Sequence, residues 1–137
     1  MPDSRHSTWE GFAAIELICV LAVLAILALV ALPSYNTAAN KARRSEGKML
    51  LQTVLAAEER YYATFNRYSS ETGGSGIGVG VLSEPQGYYR LSPLSVSNDG
   101  QSVSATAEPQ GRQAGDPCGV LGLDSSGRRT AAGQDCW

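Results

Sequence analysis

The sequence predicts an α+β fold in which one long amino-terminal helix packs on a small antiparallel sheet. Three observations carry that expectation. Residues 12–32 form a 21-residue run in which Glu16 alone is not apolar. Farther on, Leu50, Val54, Ala57, Tyr61, Phe65 and Tyr68 recur at steps of three and four, which is one face of a helix. From Tyr88 onward, short Val-, Ser- and Thr-containing segments are separated by Gly, Asn, Asp and Pro turn signals.

The apolar run comes first. At a rise of about 1.5 Å per residue it reaches roughly 31 Å, about the hydrocarbon thickness of a bilayer. A carboxylate within such a segment costs several kcal/mol unless it snorkels, neutralises or meets a partner, which marks Glu16 as a functional candidate. An ordinary secretory signal would need a basic start, a 7–15-residue apolar core and a small-x-small cleavage site. This run is too long, and Glu16 interrupts it near its start. After it, Pro33 removes one helical hydrogen bond, and a kink or melted turn is expected there.

Beyond Pro33 the helical pattern resumes to about Asn66, with Leu51, Leu55 and Tyr62 widening the apolar stripe. Lys41, Arg44, Lys48, Gln52, Glu59 and Arg60 fall on the opposite face, read as solvated or subunit-facing. An aromatic stripe at helical spacing reads as core. The glycine-rich stretch 73–80 lacks the preceding strand and following helix of a nucleotide-binding turn, and reads as a connecting loop.

The rest reads as strands. Residues 88–96 form one, interrupted by Pro93, which predicts an edge position or a bulge. Asn98-Asp99-Gly100 is a hairpin turn, and 102–107 is the return strand. Segments 118–123 and 129–131 flank a second turn at Ser125-Ser126-Gly127.

Composition narrows the chemistry. The single histidine, His6, lies upstream of the apolar run, and downstream of it no histidine is present for a Ser-His or Cys-His nucleophile or for a common metal-ligand set. An enzyme is therefore not expected, nor a metal or other cofactor. Eleven basic against thirteen acidic residues leave no bulk attraction for nucleic acid, though a local basic stripe is compatible with that balance. Cys19 reads as a small apolar residue within the run. If the downstream domain is exported, Cys118 and Cys136 read as a disulfide closing a loop of about twenty residues, worth roughly 3 kcal/mol.

Gly11 directly before Phe12, then Ile15-Glu16-Leu17, with Pro33-Ser34-Tyr35 closing the run, resembles the processing site of type IV prepilins. The resemblance implies cleavage after Gly11, a methylated new amino terminus at Phe12, and a leader of residues 1–11 that is discarded. It implies that Glu16 meets the amino-terminal charge of a neighbouring subunit during filament assembly. Two features depart from the family pattern. Ala13-Ala14 replaces the usual Thr-Leu, and the leader carries Arg5 against Asp3 and Glu10 rather than net positive charge. Lys41, Arg43, Arg44 and Lys48 beyond the run would, by charge count alone, reverse the orientation a pilin needs.

Glu59-Arg60-Tyr61-Tyr62 with Asn66-Arg67-Tyr68 is similar to the end of the long helix in short minor pilins. Asp116-Pro117-Cys118-Gly119-Val120-Leu121-Gly122-Leu123 and the final Cys136-Trp137 resemble PilE-type minor pilins. That resemblance implies a ladle-like pilin. Residues 12–33 would be membrane anchor and filament core, and 34–137 a periplasmic globular domain with a carboxyl-terminal disulfide loop. The implied protein spans the inner membrane once and later joins an extracellular pilus. Its partners would be other major and minor pilins, the prepilin peptidase, the inner-membrane assembly machinery and, before assembly, membrane lipid. The implied role is to prime or assemble the fibre for twitching motility, adhesion or DNA uptake.

Two alternatives share the anchor. A DNA-binding minor pilin for natural transformation would use Arg90, Arg112, Arg128 and Arg129 as candidate phosphate contacts. A type II secretion pseudopilin has the same amino-terminal chemistry, and the cysteine frame ending at Trp137 favours pili over it.

Overall fold

A computed structural model describes residues 9–79 and 87–137; of these, the side-chain surroundings are described for 14–31, 35–79 and 87–137. Residues 1–8 of the expected leader, and Gly80 and Pro85 near the glycine-rich stretch, lie outside them. The element order is one helix, α1 (Trp9–Phe65), then strands β1 (Tyr89–Leu91), β2 (Ser95–Val96), β3 (Val103–Pro109), β4 (Leu121–Asp124) and β5 (Arg129–Thr130). A 3-10 turn, Gly111–Gln113, separates β3 from β4.

The chain divides into two compact units, the first ending at Ala38 and the second comprising Ala39–Trp137. In the first unit the helix is apolar and open. Ile15, Leu21, Ile26 and Leu29 are 60, 56, 63 and 75 % exposed, so this surface requires lipid or neighbouring helices to cover it. Helical assignment runs unbroken through Pro33, so the helix has no melted turn at that residue. A proline deletes only one donor and one i→i−4 bond, and the flanking turns retain theirs, so the assignment continues across it.

In the second unit α1 supplies Leu50, Leu51, Val54 and Ala57 to the core, against Tyr89, Leu94, Val103, Ala105, Ala107, Leu121 and Leu123 from the sheet side. Gly47 stands mid-helix for a steric reason. A Cβ there would lie 2.7 Å from the Tyr89 ring, which is itself buried. The helix ends at Phe65, where Asn66 takes a left-handed conformation (φ 54°) and its N–H bonds the Tyr62 carbonyl.

The sheet is antiparallel, ordered β1-β3-β4-β5, with β2 also pairing β3. Alternation along β3 buries Val103, Ala105 and Ala107 and turns Ser104, Thr106 and Glu108 outward. Leu91 pairs Ala107 and Ser95 pairs Ser104, so the β1–β2 side carries one residue more than β3 over the same span. That bulge contains Pro93, which cannot donate to the ladder. The β2–β3 turn closes with the Ser97 N–H donating to the Ser102 carbonyl, and Gly100 sits at φ 68°. The Gly100 carbonyl then accepts from the Tyr68 N–H, tying the turn to the chain leaving α1.

Candidate functional site

Among the described side chains of the first unit, Glu16 is the one carboxylate on the open helical surface, between Ile15 and Leu17, which are 60 and 61 % exposed. Gly11 and Phe12 lie within the helical assignment, and their side chains are outside the described set, as is that of Pro33.

Cys118 and Cys136 are bonded to each other, eighteen residues apart, and both are buried. The bridge joins the start of the β4 segment to the end of the chain. The Ala132 N–H donating to the Cys118 carbonyl lies alongside it. Cys19, on the open helix, is a free thiol.

The four candidate arginines do not form one face. Arg90 lies on β1 and Arg129 on β5, at opposite edges of the sheet with β3 and β4 between them. Three inter-strand steps of about 4.8 Å separate them. Arg112 is exposed in the 3-10 turn past the end of β3, and Arg128 sits in the β4–β5 turn at the other end of the strands. Two of the four are also neutralised. Arg90 pairs with Glu108 at 3.1 Å, and Arg128 Nε pairs with Asp124 at 3.0 Å. Hydrogen bonds from the Ser126 hydroxyl, then from Arg128, hold the Asp124 carboxyl down to about 2.

Several residues important to the site escaped the sequence reading. Arg44, expected on a solvated or subunit-facing helix face, turns into the domain. Its Nε and Nη2 donate to the two oxygens of Asp116 at 2.7 and 2.5 Å. The Asp116 side chain is fully buried and also accepts from the Tyr89 hydroxyl and Gln113 Nε2. The Arg44 hydrogen bonds hold its carboxyl below the usual range. No periodicity could have paired residues 72 positions apart.

Glu58 was equally hidden, since it falls on the buried side of an otherwise apolar stripe. One of its oxygens accepts the Ser69 N–H at 3.0 Å, and the other has no partner among the described residues. Burial pushes its carboxyl up, opposed by the Ser69 hydrogen bond. The folded value therefore lies above the unfolded one of about 4.3. Between the two the folded state holds the proton, so stability falls as pH rises through that interval. Urea midpoints should drop from pH 4.5 to 7 in the wild type, and Glu58→Gln should flatten that slope.

Trp137 is the third. Its indole Nε1 donates to the Thr130 carbonyl at 2.9 Å, and two cations approach its ring, Lys48 Nζ at 5.9 Å and the Arg129 guanidinium carbon at 5.6 Å from the centroid. In the sequence Trp137 stands out as a family mark only, and Lys48 as one of a solvated or subunit-facing face.

The family described as type IV minor pilin ComP, DNA uptake sequence receptor, matches residues 33–122. A solved type IV pilin from Shewanella oneidensis is similar, with a TM-score of 0.55 and 30% identity over 72% of this chain and 97% of that one. No curated protein sequence matches the chain. The long helix, the antiparallel sheet and both likenesses agree, and the chain belongs to the ComP family of type IV minor pilins.

Proposed function

We propose that this minor pilin is cut after Gly11, methylated at Phe12 and held in the inner membrane by residues 12–33, with residues 34–137 in the periplasm. Assembly machinery then draws it into a pilus beside other major and minor pilins, where it helps prime or continue the fibre. The observation that carries this reading is the carboxylate of Glu16 within the open apolar run of the helix, the one carboxylate among its described side chains up to Ala38. In a low-dielectric bundle, a carboxylate and a neighbouring ammonium each relieve the other's desolvation, so Glu16 selects a subunit partner as well as a depth.

Two measurements test it. Intact mass of the membrane-extracted protein should start at Phe12, and a start at Met1 overturns the processing. Pili are then counted in a deletion strain complemented with wild type or Glu16→Ala, with and without retraction. Wild type should restore pili and Glu16→Ala should fail to enter sheared fibres. Normal incorporation of Glu16→Ala would sink the docking role.

A second reading is favoured by the matched family's description as a DNA uptake sequence receptor. On it, the globular unit of this chain receives duplex DNA at the pilus surface. It requires that the full chain retain duplex DNA at low salt, and no retention removes it.

A further inference from the structure

Resting on the DNA-receiving reading, we propose that Lys48 and Arg129, gathered by the Trp137 ring, form a phosphate-contacting pair for a DNA duplex. Arg44, Arg90 and Arg128 are committed to Asp116, Glu108 and Asp124. Among the described residues, no ion pair occupies Lys41, Arg43, Lys48, Arg60, Arg67, Arg112 or Arg129, and of these Lys48 and Arg129 are the two that approach one ring together, while Arg43 lies over Tyr88. The acidic residue nearest Trp137 in sequence, the exposed Asp135, forms none with them, and Asp124 is taken by Arg128.

Geometry supplies the rest. The two charges reach the same ring from different elements, α1 and β5, and are no farther apart than the sum of their distances to its centroid. Trp137 is itself fixed, because its Nε1 donates to the Thr130 carbonyl and Cys136 next to it is bridged to Cys118. A cation over an aromatic face gives up little of its hydrogen-bonding capacity, since a Lys ammonium has three donors and a guanidinium five. The ring thus lowers the entropy of two long side chains and leaves their N–H groups directed elsewhere. A duplex carries about one negative charge per 1.7 Å of axis, so a pair this close meets phosphates of one short stretch of backbone. Trp137 is a positioning residue here, and Lys48 and Arg129 make the contact. Arg129 and Trp137 lie beyond the family-matched residues 33–122.

The test uses the full chain in non-ionic detergent with Trp9→Phe, which leaves Trp137 as the only tryptophan of the two in the sequence. A short duplex is titrated at several salt concentrations while tryptophan emission is followed. Each lost phosphate contact should lower the slope of log K against log salt by about 0.9. Duplex should change Trp137 emission, and Lys48→Gln with Arg129→Gln should lower the slope by about two contacts' worth, whereas Lys48→Arg with Arg129→Lys should keep it. Thermal melts confirm that the variants remain folded. Binding with unchanged emission and an unchanged slope in the Gln double variant would overturn this pair while leaving DNA reception standing. Absence of any binding at low salt would overturn both.

Discussion

Substituting Asp116 with alanine is expected to cost the globular unit about 3–5 kcal/mol, because it strands the Arg44 guanidinium in a buried site without its carboxylate. The same change leaves the Tyr89 hydroxyl and Gln113 Nε2 without an acceptor they now share. At 4–8 °C per kcal/mol for a domain of this size, the midpoint of thermal unfolding should fall by more than about 10 °C. Asp116→Ala combined with Arg44→Met should recover part of the loss, since no charge is then left buried. If the single variant melts within a degree or two of wild type, the network contributes nothing. The pH dependence has the opposite sign to that of Glu58. A carboxyl held below its unfolded value of about 3.9 stabilises the fold above that value and loses the contribution as pH falls through the lower one.

The second large effect belongs to the Cys118 and Cys136 bridge. Replacing both with alanine is expected to cost about 3 kcal/mol, the loop-closure value for a bridge spanning eighteen residues. Both sulfurs lie in the core, so the loss should appear equally with a reductant strong enough to open the bridge. The carboxyl-terminal segment should then release first, seen as rapid amide exchange from Ala131 to Trp137 while β3 stays protected. Uniform exchange across the unit would show instead that the bridge and the sheet open together.

Local chemistry was readable in the sequence and long-range chemistry was not. Asn98-Asp99-Gly100 carries its turn in its own residue types, and Pro93 carries its bulge in a missing N–H. The long helix follows from periodicity, because the apolar stripe recurs at its own pitch. Arg44 and Lys48 show the limit. Both fall on the same polar face by sequence, yet one is drawn inward by Asp116 and the other lies against Trp137. Helical spacing says which residues share a face and nothing about what arrives from 72 or 89 positions away. Pro33 does not melt the helix for a related reason: a missing donor is local, and continuity of a helix depends on the turns around it. The four arginines were gathered by residue type alone, and strand order sends them to different edges.

The short ends of the sheet have a consequence for how such a subunit polymerises. Beta proteins with open edges add to one another strand by strand, without regulation. Here β5 is two residues long, and its Thr130 carbonyl is already taken by the Trp137 indole. On the other side, the Glu46 carboxylate accepts the N–H of Tyr88, just before β1. Neither edge offers a long free ladder. On the proposed assembly, growth of a fibre from such units is thereby left to the apolar helix, whose open surface is the one part of the subunit built to be covered.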